Sequence, residues 1–447
     1  MSTIEKIVIV GAGLAGARAA EALRKDGFDG SITLLGEEPE RPYIRPPLSK
    51  AYLRGASERE AVYVHPEAFY EEQRIDLRPS TRVRAIDVAT RDVILHDGAA
   101  VPFDRLLIAT GAEPRRLPVE GASLAGVHRL RTLADADSLR AAAAQAEHVV
   151  VIGMGWIGSE VAASLRALGR KVVLIGPEAV PLERVLGPDI GGVYRDLHRE
   201  RGVVLRSGTQ VERILGTDRV QAVETSTGEL IPADLVVVGI GAHPRMELAE
   251  VSGLAVGDGI EVDASLETSV PGIFAAGDVA SAWHPFYEQR LRSEHWANAK
   301  FQGSAAARSM LGSAMAFDRI PYFYSDQYDL GMEYRGHGST SDRLVVRGSL
   351  VDHEFVAFWL RDGRVVAGMN ANAWDVGKPI ERLIRSRAIV DPAALADGDL
   401  PLEQLAAAAE TRAESEATAV STAAGAASRA AEPAGPEAAT TATATAR

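Results

Sequence analysis

Ile7-Val8-Ile9-Val10-Gly11-Ala12-Gly13-Leu14-Ala15-Gly16 decides the fold. The β-branched run reads as a strand buried on both faces, the glycines as a tight turn, and the Ala- and Arg-rich stretch to Lys25 as a helix. A second apolar run, Ile32-Thr33-Leu34-Leu35, completes a strand–turn–helix–strand unit. In such a unit the first glycine permits the turn, the second lets a pyrophosphate approach the backbone, and the third lets helix and strand pack closely. Gly11, Gly13 and Gly16 are therefore candidate dinucleotide contacts.

The same syntax returns in Val149-Val150-Val151-Ile152, Gly153-Met154-Gly155-Trp156-Ile157-Gly158 and Val172-Val173-Leu174-Ile175. Two copies predict an α/β protein with two Rossmann-like domains. Gly153, Gly155, Trp156, Ile157 and Gly158 form the second candidate site, with Gly241 at the end of the apolar run 235–241. Two dinucleotide sites in one chain suit a tightly held FAD and a visiting NAD(P)H, with hydride crossing where the domains face each other. Glu37, 21 residues after Gly16, is placed to accept hydrogen bonds from an adenosine ribose. Asp278 ends the run 268–278 and is placed against a ribityl or phosphate oxygen of FAD. In the second copy the slot after Ile175 is Gly176, with Glu178 two residues on, and no Arg or Lys lies between Gly176 and Val180 to grip a 2′-phosphate. NADH is therefore favoured over NADPH.

Segments 114–118 and 243–246 read as crossings between domains. They divide the chain into an FAD-binding domain (1–112 and 244–320), an NAD(P)H-binding domain (113–243) and a small C-terminal α+β domain (321–400). The last carries shorter alternating runs, a hairpin at Gly363 and a helix over 379–387. Residues 401–447, Ala-rich with scattered Thr, Gly and Pro, are expected to be a disordered tail.

Composition narrows the function. With 48 Lys and Arg against 61 Asp and Glu, the 447-residue chain carries a net charge of −13, which argues against nucleic acid as its partner. No apolar run approaches the ~20 residues of a membrane-spanning helix. A strand at Lys6–Val10 leaves no room for a secretory leader, so a cytoplasmic location is expected. The absence of cysteine removes disulfide chemistry, thiol nucleophiles and Cys-held metal, and no histidine spacing suggests a metal ligand set.

The segment Arg41-Pro42-Tyr43-Ile44-Arg45-Pro46-Pro47-Leu48-Ser49-Lys50 is the most specific of all. With the two glycine turns and Gly277-Asp278, it resembles the FAD-dependent ferredoxin reductases of bacterial oxygenase systems over residues 4–400, and more distantly the apoptosis-inducing factor family. The resemblance implies a glutathione-reductase-like arrangement of the FAD and NAD domains. It implies FAD contacts at Ala15, Glu37, Arg45, Lys50, Val83, Arg131 and Asp278, with Lys50 near the isoalloxazine and the Val83 backbone near the adenine. Trp296 falls at a helix N-terminus beside the flavin pyrimidine edge. Glu160 falls near the nicotinamide, where an ion pair with Lys50 is expected; these two are the catalytic candidates. The implied partner is a two-iron, two-sulfur ferredoxin serving a cytochrome P450 or a ring-hydroxylating dioxygenase.

Two positions depart from the family's pattern. Tyr324 stands where a Trp is common, and Gly176 where an acidic residue often serves NADH. Because such ferredoxins are acidic, a basic docking patch is expected, with Arg290, Arg292, Arg335 and Arg347 as candidates. Zero cysteine excludes the disulfide reductases of the wider fold. A reductase of quinones or monodehydroascorbate-like acceptors, and a redox-sensing protein resembling apoptosis-inducing factor, remain as alternatives. Either a monomer or a homodimer fits.

Overall fold

The structure is a computed structural model, and it describes residues 4–313 and 315–430. Lys6–Val10 runs through the centre of a five-stranded parallel sheet, between Arg105–Ile108 and Ser31–Leu35. Ile273–Ala275 and Ile75–Arg78 form its edges. Helices cover this sheet, which explains why Ile7, Val8, Ile9 and Val10 are all buried and why the strand reads as an unbroken apolar run. The chain leaves this sheet, builds a second one, and returns to add Ile273–Ala275.

The second sheet is also five-stranded and parallel, in the order Val204–Arg206, Lys171–Ile175, His148–Ile152, Leu235–Val238, Val127–His128. The two crossings form one antiparallel ribbon, Ala112–Pro114 against Ala242–Pro244, with His243 opposite Glu113. A single narrow ribbon thus carries both passages between the sheets.

The third sheet is antiparallel, in the order Tyr322–Gln327, Leu330–Gly336, Arg364–Ala371, Glu354–Arg361, Arg343–Ser349. Each face is covered from a different direction. The helix Glu183–Glu200 of the second unit brings Leu186, Ile190, Tyr194 and Leu197 against Phe323, Phe355 and Trp359. On the other side Ile380, Leu383 and Ile384 of the helix Gly377–Ser386 meet Val356 and Phe358.

The Ala-rich segment corrects the expectation of disorder. Leu402–Ala430 is a helix, and its first turns bury Leu402, Ala406 and Ala409 beside the helix Gly377–Ser386. Arg382 holds Glu410 at 2.6 Å and also pairs with Glu403. Spacing of i, i+4 and i+7 is an amphipathic signal, masked here because most of its members are alanines in an alanine-rich background. Residues 431–447 of the expected tail lie outside the described residues.

His198, fully buried on Glu183–Glu200, locks that helix to the third sheet. Its Nε2 lies 3.0 Å from Gln327 Oε1 and its Nδ1 lies 3.2 Å from the Tyr328 hydroxyl, a pairing that suits the neutral ring. Burial lowers its pKa to about 4. The unfolded chain, with an ordinary histidine, therefore binds more protons between pH 6.5 and 4. This contribution is complete above pH 6.5 and is lost as the pH falls toward 4, on the order of 3 kcal/mol in all. In urea titrations across that window, His198→Gln should flatten the acid-side loss of stability.

Candidate functional site

The two glycine turns are near copies in three dimensions. A Cβ on Gly11, which sits at φ +116°, would meet the Ala109 carbonyl oxygen at 2.2 Å, and one on Gly16 would meet the Gly11 oxygen at 2.1 Å. In the second turn Gly153, at φ +109°, would meet the Gly239 oxygen at 2.3 Å, and Gly158 the Gly153 oxygen at 1.9 Å. These four glycines serve the fold itself. The middle ones differ: a Cβ on Gly13 or Gly155 would meet nothing within 4 Å beyond its immediate chain neighbours. Both face open cradles at the carboxyl ends of the strands, where parallel α/β sheets bind ligands.

The helices beginning at these turns share a second property. Leu14–Lys25 and Trp156–Ala167 lack a side-chain N-cap and any acidic residue in the first turn, and so does Trp296–Met310. By contrast Leu133–Gln145 is closed by a capping box of Thr132 and Asp135. Uncapped N–H groups with a positive helix end suit an anionic ligand.

The first cradle crosses its sheet from edge to edge. At one edge Asp278, almost completely buried, accepts a 2.7 Å bond from Arg131 Nη2. Arg45 donates to the Arg131 carbonyl at 2.5 Å, to Glu38 at 2.8 Å and to the Tyr43 hydroxyl at 2.8 Å. Tyr43 bonds Glu38 in turn, and burial raises its phenol above the ordinary range. Ala15 lies against Gly277 and Gly303, where a Cβ on Gly303 would meet the Ala15 oxygen at 2.2 Å. Toward the other edge, Glu37 is held by Arg245 at 2.5 Å and lies 3.4 Å from Arg82. Val83, half-buried, follows Arg82 directly.

Between the cradles lies a buried junction. Lys50 Nζ is 2.7 Å from Glu160 Oε2, and both side chains are nearly closed to solvent. Ser49 Oγ donates to Oε2 at 2.5 Å and Ser325 Oγ to Oε1 at 2.7 Å. Lys50 also sits 5.8 Å from the Tyr324 ring centroid, and Tyr324 meets Trp296 edge-on at 6.4 Å. His295, just before Trp296, stacks on Phe323 at 4.2 Å, and burial lowers its pKa to about 4. Lys50, Glu160, Tyr324 and Trp296 therefore form one cluster.

In the second cradle Ile157 is 43% exposed, whereas Trp156 turns toward the third sheet, edge-on to Phe323 at 5.0 Å and Tyr194 at 6.3 Å. Gly241, at φ +98°, lies two residues beyond the Gly239 carbonyl that Gly153 approaches.

The family described as pyridine nucleotide-disulphide oxidoreductase matches residues 5–303, and that described as reductase C-terminal matches residues 322–406. The chain belongs to the pyridine nucleotide-disulphide oxidoreductase family. It is 39% identical to putidaredoxin reductase of Pseudomonas putida, over 92% of this chain and 99% of that protein. It is 37% identical to the ferredoxin–NAD(+) reductase component of the biphenyl dioxygenase system of Paraburkholderia xenovorans, over 88% of this chain and 96% of that one. Among solved structures it superposes on the covalent putidaredoxin reductase–putidaredoxin complex with a TM-score of 0.88, at 39% identity over 92% of this chain and 100% of that chain. With no cysteine, this member has no thiol with which to perform the disulfide half of the family's named chemistry.

The basic candidates prove to be occupied. Arg290 donates to the Val262 and Ser281 carbonyls, Arg292 pairs with Asp258 and Glu294, Arg335 with Glu333, and Arg347 bonds the Gly398 and Leu400 carbonyls. Ser49 and Ser325, whose hydroxyls hold Glu160, carry no sequence signal beyond their place inside longer motifs.

Removing one partner from a buried ion pair leaves an uncompensated charge, at a cost of about 3–5 kcal/mol, against about 1–2 kcal/mol for one lost hydrogen bond. Lys50→Met should therefore lower the urea midpoint of the protein clearly more than Ser325→Ala. Equal shifts would mean that Lys50 does not compensate Glu160.

Proposed function

We propose that this protein is an NADH-dependent, FAD-containing ferredoxin reductase whose electrons serve an oxygenase such as a cytochrome P450 or a ring-hydroxylating dioxygenase. The observation that carries this reading is the Lys50–Glu160 pair, which joins two open dinucleotide cradles in a chain without cysteine. FAD fits the first cradle: the space at Gly13 and the uncapped helix at Leu14 suit its pyrophosphate, and the Arg131–Asp278 pair suits its ribityl and phosphate oxygens. Bound there, FAD supplies a ring that accepts a hydride and returns electrons singly.

Residues 1–112 and 244–320 then form the FAD unit, 113–243 the NADH unit and 321–400 the ferredoxin-facing unit. Gly13 and Gly155 admit the two pyrophosphates, and Gly11, Gly16, Gly153 and Gly158 keep the turns closed. Ala15, Arg45, Val83 and Glu37 line the length of the FAD cradle. Lys50 and Glu160 would position the nicotinamide against the flavin, a task in which small displacements are expensive. The uncapped helix end at Trp296 would offer its positive end to the pyrimidine edge of a bound flavin, and Tyr324 with Trp296 would help to exclude water. Trp156, Ile157 and Gly241 border the nicotinamide side.

An acidic ferredoxin meets a cationic surface near the same aromatic cluster. Lys300 lies 4.8 Å from the Trp296 ring centroid and Arg319 lies 3.8 Å from that of Phe301, and neither makes an ion pair among the described residues. No helix among the described residues is long and apolar enough to cross a membrane, and the cytoplasm is the proposed location.

Anaerobic stopped-flow tests the reading. NADH should bleach the flavin faster than NADPH, and the reduced protein should then reduce a two-iron ferredoxin in preference to quinones or oxygen. Glu160→Ala should slow the NADH-dependent step about 10- to 100-fold. Bleaching by neither coenzyme would end the assignment, and faster turnover with quinones would favour a small-molecule reductase. Gly13→Val should give a folded protein that purifies without FAD, because its side chain enters the open cradle and not the protein.

A further inference from the structure

We propose that Glu178 provides the carboxylate that recognises the adenosine ribose of the pyridine nucleotide, replacing the side chain missing at Gly176, and that it restrains Arg184 from binding a 2′-phosphate. This rests on reading residues 113–243 as the unit that binds NADH.

Gly176 directly follows the strand Lys171–Ile175, the place from which an acidic side chain ordinarily reaches a ribose. A Cβ at Gly176 would lie 2.8 Å from Glu178 Oε2 and 2.7 Å from Met154 Cγ. The Glu178 carboxylate thus occupies the room that a side chain at 176 would take. Met154 sits between Gly153 and Gly155, so this room adjoins the turn that faces the second cradle. Two backbone bonds hold the arrangement: Gly208 N–H donates to the Glu178 carbonyl at 3.0 Å, and Thr209 N–H to the Gly176 carbonyl at 3.0 Å.

The two oxygens of Glu178 are not equivalent. Oε1 lies 2.7 Å from Arg184 Nε. Oε2 is buried and has no hydrogen-bond partner. Ser207 Oγ, one residue past the neighbouring strand Val204–Arg206, is likewise buried and unpartnered. An unsatisfied buried carboxylate oxygen is costly and calls for an outside donor, and the neighbouring Ser207 hydroxyl can donate to or accept from the same ligand. The ribose 2′- and 3′-hydroxyls are such donors, and the last torsion of a glutamate turns readily to meet them. A 2′-phosphate offers only acceptors and negative charge. The cations within reach are engaged: Arg184 by Glu178, and Arg206 by Glu229 through contacts of 2.7 and 2.8 Å. The Arg184 side chain is 76% exposed, so it is free to turn once Glu178 is gone.

The test uses the FAD-loaded full chain and four proteins: wild type, Glu178→Gln, Glu178→Ala and Glu178→Ala/Arg184→Ala. Calorimetry measures binding of ADP and of adenosine 2′,5′-bisphosphate, and stopped-flow gives the ratio of flavin reduction by NADH and NADPH. Wild type should prefer ADP. Both single variants should bind ADP at least fivefold more weakly and move the coenzyme ratio toward NADPH. Glu178→Ala should gain affinity for the bisphosphate, and adding Arg184→Ala should erase that gain. Retention of both affinities within twofold in Glu178→Ala and Glu178→Gln overturns the proposal, even where ferredoxin reduction proceeds normally. A wild type that binds ADP, with the expected Glu178 effects, but passes no electrons to a ferredoxin overturns the reductase reading and supports ribose recognition by Glu178. A wild type that binds neither nucleotide overturns both.

Discussion

A single carboxylate is claimed by three parts of the chain. Glu160 stands on the helix Trp156–Ala167 of the second unit, Lys50 and Ser49 approach from the Pro-rich segment of the first, and Ser325 from the opening strand of the third. A buried charge is tolerated only where its lost hydration is replaced by close, well-directed partners. Here those partners exist only if all three units are docked in one arrangement. The stability of the Glu160 carboxylate and the alignment of the two cradles are therefore the same requirement, and any motion that separates the units exposes a bare charge. Ser325 also ties the antiparallel sheet to this centre, so a partner bound on that sheet lies one hydrogen bond from the pair.

Electrostatics at the helix ends bear on ligand approach. Two helix ends, at Thr132 and Asp391, are closed by a side-chain cap. The three ends that face the cradles and the junction are left open. In a chain with a net charge of −13, these local positive ends let anionic dinucleotides approach a molecule that would otherwise repel them. The same background explains the tied arginines: with more carboxylates than cations, most exposed guanidinium groups find an internal acceptor, and few remain for a partner. Lys300 and Arg319 are among the cations that make no ion pair within the described residues, and each lies over an aromatic ring.

Legibility followed the length scale of each signal. The parallel strands were plain because burial on both faces leaves unbroken apolar runs, and the turns because only glycine tolerates the contacts at Gly11, Gly16, Gly153 and Gly158. The crossings near 114 and 243 were visible as prolines, although nothing local said that they pair into one ribbon. Lys50 and Glu160 were reachable only through motif resemblance, since 110 residues separate them and no local pattern links them. Ser325 and Glu178 were harder still, because their roles depend on where a distant backbone leaves room. The helix from Leu402 was missed for an energetic reason: alanine composition resembles a solvated tail until a facing groove, here lined by Leu383 and Ile384, supplies something to bury against.

The absence of cysteine gives the arrangement its direction. In this fold the space beyond a flavin can be occupied by a thiol pair that receives electrons two at a time. In the present chain the junction at Lys50 and Glu160 is bordered by aromatic rings, with Trp296 and Tyr324 edge-on and His295 stacked on Phe323. Aromatic walls do not take up a pair of electrons as a disulfide does, but they exclude water. A centre that takes two electrons from one side and has no internal acceptor on the other must release them to something docked outside. The third sheet is tied to the second unit through His198 and to the junction through Ser325, so it holds a fixed place beside this centre.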